Sequence, residues 1–86
     1  MFTVEWLEQA DQELASLWVS APSEWRKPIT FSVKQLERDL KFSAATLGES
    51  RGEHGRIAFE GSLGVLFYVR DRQVTVYHVW FCPPRA

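Results

Sequence analysis

Arg51, His54 and Arg56 fall within one six-residue stretch. Two guanidinium forks and an imidazole at that spacing can grip a phosphate, the forks by paired hydrogen bonds and the histidine by a charge that changes near neutrality. These three are the candidate catalytic groups. The same residues also read as a solvated loop, whose arginines make surface pairs worth at most about 1 kcal/mol. Arg70 adds a further cation where the apolar run Leu63–Val69 ends. Arg51, Arg56 and Arg70 are therefore the candidates for touching an anionic surface.

Other chemistry has thinner support. His78 and Cys82 share strand parity, but two ligands do not close a metal site and no third lies at suitable spacing. A histidine half-buried among aromatics is the simpler reading, so no metal and no cofactor is expected. Ser43, Ser50 and Ser62 have no base in a recognisable arrangement, and no Gly-x-Ser-x-Gly elbow exists. Glu49 and Glu53 lie four apart in a glycine-rich segment, which fixes no distance between them. Gly61 and Gly64 precede no helix, which argues against a phosphate loop.

Composition narrows the function classes. With 86 residues the chain makes one domain, 1–86, burying only roughly 60–65% of its unfolded surface. A hydrophobic content of 45% and four tryptophans argue against disorder and predict more apolar surface than a monomer covers. Net charge is −1, without the basic excess of a free-standing nucleic-acid binder. The charges are uneven: Arg51, Arg56, Arg70, Arg72 and Arg85 lie in the second half, while Glu5, Glu8, Asp11 and Glu13 crowd the start. A lone cysteine, a start with no basic region and no long apolar run predict a cytoplasmic protein that does not enter membranes.

The elements that must position these groups follow from periodicity. Phe2, Val4 and Trp6 alternate as a short strand. Leu7, Ala10, Leu14, Leu17, Trp18 and Ala21 then fall at helical spacing, ended by Pro22. Trp25, Ile29, Val33, Leu36 and Leu40 mark a second helix, N-capped by Ser23, that starts before Pro28 and bends there. Phe42 to Gly55 reads as a polar connector. Three strands follow, broken at Glu60-Gly61-Ser62 and Arg70-Asp71-Arg72-Gln73, breaks short enough that only antiparallel pairing is possible. The fold class is α+β: a short N-terminal strand, an antiparallel helix hairpin and an antiparallel three-stranded meander. In the last strand Val74, Val76, His78 and Trp80 should share one face, opposite Thr75, Tyr77, Val79 and Phe81. Helices cover one sheet face, and the other is left apolar and open.

This β-α-α-β-β-β order resembles the RelE/ParE toxin superfamily of type II toxin–antitoxin modules. Ala10-Asp-Gln-Glu-Leu-Ala-Ser-Leu-Trp18 is similar to its first helix, and Leu47-Gly-Glu-Ser-Arg51 to the loop entering its sheet. Arg56–Val69 resembles its hairpin and Val74–Val79 its last long strand. Messenger-cutting members carry an arginine where this chain has Gly64, and a His-Arg…Tyr segment where it has Val79-Trp-Phe-Cys-Pro-Pro-Arg-Ala. Without those residues, transition-state charge is unaccounted for. The resemblance therefore implies a toxin-like chain that binds its target as gyrase poisons do, with target contacts at Arg51, Arg56 and Arg70. It implies a cognate antitoxin, in an oligomeric complex, laid on the open sheet face and the hairpin through Trp18, Phe67, Val76 and Trp80. A ribosome-dependent messenger ribonuclease using Arg51, His54 and Arg56, and a non-toxic α+β interaction module, are the alternatives.

Overall fold

In the computed structural model, which describes residues 1–83, seven elements follow one another. They are β1 (Thr3–Trp6), α1 (Glu8–Ser20), α2 (Ser23–Ser43), β2 (Glu49–Arg51), β3 (Gly55–Glu60), β4 (Leu63–Arg70) and β5 (Gln73–Phe81). Arg85 lies outside the described residues. The sheet order is β1-β5-β4-β3-β2. From β2 to β5 it is an antiparallel meander, and β1 adds in parallel to β5, with Val4 opposite Val74 and Trp6 opposite Val76.

The strand, helix pair and meander thus stand in the expected order, and the meander gains a strand from the connector. β2 is only three residues long and wholly exposed, so apolar alternation cannot mark it. A short charged strand is also what blunts a sheet edge. At the other side, α1 protects β5 beyond the end of β1. Gln9 Nε2 donates to the Tyr77 carbonyl at 2.9 Å, and the Val79 N–H donates to Glu13 Oε1 at 3.0 Å. Side chains there replace the missing neighbour strand.

α2 starts before Pro28, as expected, and continues through it without a break, but its cap position is Pro22, so Ser23 is the first helical residue and makes no side-chain cap bond. Ile29, Leu36 and Leu40 of α2 pack with Ala10 of α1 onto Leu63, Val65, Phe67, Val74, Val76 and Val79. Phe67 and Val76 are 0% exposed. That corrects the expectation that they form a partner-facing surface: they floor the core under the helices. The helices take this face because its β4 and β5 side chains, Leu63, Val65, Phe67, Val74, Val76 and Val79, are apolar, whereas Tyr68, Arg70 and Thr75 occupy the opposite one.

A bulge in β5 changes which of its residues share a face. Leu66 pairs with His78 but Phe67 pairs with Val76, leaving Tyr77 as an extra residue. One inserted residue flips everything beyond it. Val79 and Phe81 therefore join Val74 and Val76 on the core side, and His78 and Trp80 leave it. His78 is not half-buried among aromatics but exposed, its Nδ1 3.1 Å from Glu13 Oε2.

Candidate functional site

The sheet face away from the helices carries aromatic rings at both ends, and at each end one ring lies over a glycine. At one end the Trp80 indole covers Gly64, so closely that a Cβ there would strike Trp80 Cε2 and Nε1. Phe59, 63% exposed, meets the same indole edge-on at 6.1 Å between centroids. At the other end the Tyr68 ring lies over Gly55, where a Cβ would come within 3.3 Å of it. The bulge brings Tyr77 beside Tyr68, with centroids 4.6 Å apart. An aromatic ring over a strand glycine supplies the packing that the missing side chain cannot.

Arg51, His54 and Arg56 are not brought together. Arg56 points to the helix side, where its Nε donates to the Leu47 carbonyl at 2.7 Å and its Nη2 to the Gly48 carbonyl at 3.0 Å. It is committed to the turn leaving α2, which corrects its reading as a surface cation. Arg51 pairs with Glu49 at 3.0 Å on the exposed β2 edge. His54, in the β2–β3 turn, is 3.9 Å from Glu53. The structure instead groups His54 with Arg70. Both line a cleft of about 420 Å³ beside Tyr68 and Tyr77. Among the described residues Arg70 makes no ion pair.

A second surface lies on the opposite side of the molecule. α1 and α2 splay to leave an apolar groove of about 550 Å³, lined by Leu14, Ala15, Trp18, Val19, Ile29 and Val33, with Asp11, Lys34 and Glu37 among its polar residues. Trp18 is held in the wall of this groove. Its Nε1 donates to Thr30 Oγ1 at 3.3 Å, and the Arg26 guanidinium lies 4.8 Å from its ring centroid. Arg26 in turn donates to the Trp18 and Val19 carbonyls at 3.3 and 3.2 Å, capping the end of α1. Such cation–π and carbonyl contacts fix the ring while leaving it 39% exposed. Phe31, 63% exposed, extends the apolar surface past Trp18.

Sequence periodicity did not reveal the groove, because a helical stripe shows which residues are apolar and not how far apart two helices stand. The Tyr68–Tyr77 pair was equally hidden, since straight strand parity does not reveal the bulge. Among the described residues, no three His, Cys, Asp or Glu side chains come together to hold a metal, and no helix is long and apolar enough to cross a membrane. One titratable group is strongly perturbed. Glu60 is pushed up to about 7, first by partial burial and then by the neighbouring Asp39 carboxylate.

No protein-family model matches the sequence, and no curated protein matches it. Among solved structures, it is similar to a chain of a chromosomal ParDE TA system from P. aeruginosa, with a TM-score of 0.72 and 14% identity. The match covers 95% of this chain and 97% of that one. A likeness so complete in extent and so low in identity is one of fold: the strand, helix pair and meander of this chain have the architecture of that ParDE chain.

Proposed function

We propose that this chain is the toxin-like member of a type II toxin–antitoxin pair, acting by binding a cellular target and neutralised by a cognate antitoxin. The observation that carries this reading is the apolar groove between α1 and α2, on a chain whose fold matches the ParDE chain over nearly its full length. An exposed apolar groove of this kind is the surface that an amphipathic segment covers. A partner segment that is disordered alone and folds as it docks gives the on–off control such a pair needs.

The mode is binding. At Gly64, the position where the messenger-cutting relatives carry an arginine, the Trp80 indole fills the space. The candidate contacts for the target, Arg51 and Arg70, stay exposed on the sheet side, away from the groove. Target and antitoxin therefore have separate surfaces available. Gyrase is the target suggested by the ParE branch, and a ribosome-bound message the one suggested by the other branch.

Expression in cells tests the reading. Induction of this chain alone should stop growth, and co-expression with the product of the adjacent reading frame should restore it. An Ala15→Arg variant puts a long charged side chain into the groove from an exposed position. It should still stop growth but no longer be rescued. The partner should also raise the melting temperature of the wild-type chain by ligand linkage. Undisturbed growth together with no rise in melting temperature would refute the proposal.

A further inference from the structure

The cleft at the tyrosine end of the sheet face has features that the proposed pairing does not use. Tyr68 and Tyr77 are 40% and 36% exposed, although an aromatic pair of that size ordinarily seeks cover. Their rings are inclined at 60°, so they meet edge to face rather than stacking on one another. Tyr77 is there only because β5 carries an extra residue, and bulges recur where a strand must re-aim a side chain at a site. Gly55 lets the Tyr68 ring approach the backbone closely. The platform is thus fixed from below by a glycine and from the side by the bulge.

Around that platform stand Arg70 and His54, with Asp71 at the turn. Asp71 has φ 56°, in the left-handed region that Asp tolerates better than most residues. A guanidinium without an ion pair among the described residues, next to open aromatic rings, matches a ligand that joins a flat ring to an anion. The volume, about 420 Å³, lies within the ordinary range of small-ligand pockets, roughly 300–1,000 Å³. The polar groups divide by chemistry: Arg70 and His54 suit phosphate oxygens, while the Asp71 carboxylate accepts from a sugar hydroxyl or an exocyclic amine.

We infer that this cleft binds a nucleotide, its base stacked on the Tyr68–Tyr77 pair and its phosphate held by Arg70 with His54. A single nucleotide requires no basic excess over the whole chain, so the net charge of −1 is compatible with it. The cleft lies at the opposite end of the face from Gly64 and Trp80, across the length of β4, and so is separate from the position the resemblance makes catalytic. The inference is also independent of toxicity, because binding is read on the isolated chain.

Amide chemical-shift titration of the full chain tests it with four probes: AMP, adenosine, inorganic phosphate and a hexaadenylate strand. AMP should shift the amides of residues 54, 68 and 70–77, and bind at least about tenfold tighter than adenosine or phosphate alone, since base and phosphate contacts combine. Arg70→Ala, at an exposed turn, should erase the difference between AMP and adenosine. Tyr77→Leu should weaken both by about tenfold, the scale of one lost stacking contact. Core amides unchanged in each variant exclude unfolding. A strand that binds more tightly than AMP through these residues assigns the cleft to nucleic acid, and one that binds no more tightly assigns it to free nucleotides. Absence of shifts at about 5 mM AMP, a ligand concentration that would reveal even weak binding, overturns the inference. So does equal affinity for AMP and adenosine in the wild type.

Discussion

Replacing Gly64 by alanine is a one-carbon change whose effect should depend entirely on Trp80. A Cβ at Gly64 collides with the indole ring, and the indole also meets Phe59 edge-on. Forcing a methyl group into packed surroundings costs about 1–3 kcal/mol. Against that, Gly→Ala in a strand gains roughly 0.4–1 kcal/mol by restricting the unfolded chain. The net loss is about 0–2.6 kcal/mol, and each kcal/mol lowers the melting temperature of a domain this size by about 4–8 °C. With Trp80→Ala already present, the collision is gone and only the gain remains. Gly64→Ala should then stabilise. Urea unfolding of the four members of this cycle should give a coupling of about 1–3 kcal/mol, far above the ~0.5 kcal/mol scatter of independent sites. Additive effects, or a Gly64→Ala variant more stable than the parent, would refute the packing argument. They would also reopen position 64 to the larger side chain that the resemblance puts there.

Two other perturbations read the corrected residues. With Glu60 pushed up to about 7 from 4.5, the folded chain holds a proton that the unfolded chain releases between those values. The associated stability is full below about pH 4.5 and is lost as pH rises through 7, so urea midpoints should fall from about pH 5 to about pH 8. Glu60→Gln should flatten that fall, and an unchanged slope would show that the carboxyl is not the source. Arg56→Ala should cost about 1–3 kcal/mol, because it strips a charged donor from the Leu47 and Gly48 carbonyls. Arg51→Ala and Arg70→Ala should stay within about 0.5 kcal/mol. Equal melting temperatures for all three would mean that Arg56 is ordinary surface.

The parts of the fold legible in the sequence are those governed by local periodicity. Leu36 and Leu40 reach the core because they recur at helical spacing, and Val65, Phe67 and Val69 share a face because side chains alternate along a strand. What alternation could not supply was its own interruption. From Val74 to Phe81 nearly every residue is apolar or aromatic, so a slip of one position leaves the pattern looking the same. The bulge at Tyr77 thus went unseen, and with it the true faces of Val79, His78 and Trp80. The site was less legible still. Arg56 and Arg51 look alike in sequence, and only the carbonyls around the α2 exit make one structural and the other exposed. His54 and Arg70 come together because β3 and β4 pair Gly55 with Tyr68, a long-range register that no spacing rule contains.

That same register explains why the molecule presents two unlike surfaces. The core is closed by α2 and the start of α1 from one side only, so the sheet's far face must end in water. A sheet face of that kind can be polar, as in many antiparallel sheets, yet here Phe59, Tyr68, Tyr77 and Trp80 occupy it. Two of those rings stand over Gly55 and Gly64, and that packing accounts for part of their apolar area. It does not account for Phe59 or for the tyrosine pair. On the helix side the argument is stronger. Closing α1 onto α2 would bury Leu14, Trp18 and Val33, and the Arg26 side chain, fixed to the end of α1 and set against Trp18, stands between the helices at their connected end. The Trp18 wall of the groove is therefore fixed by specific bonds that tie α1 to α2. An exposed apolar groove with a fixed wall is the kind of surface that a docking partner covers.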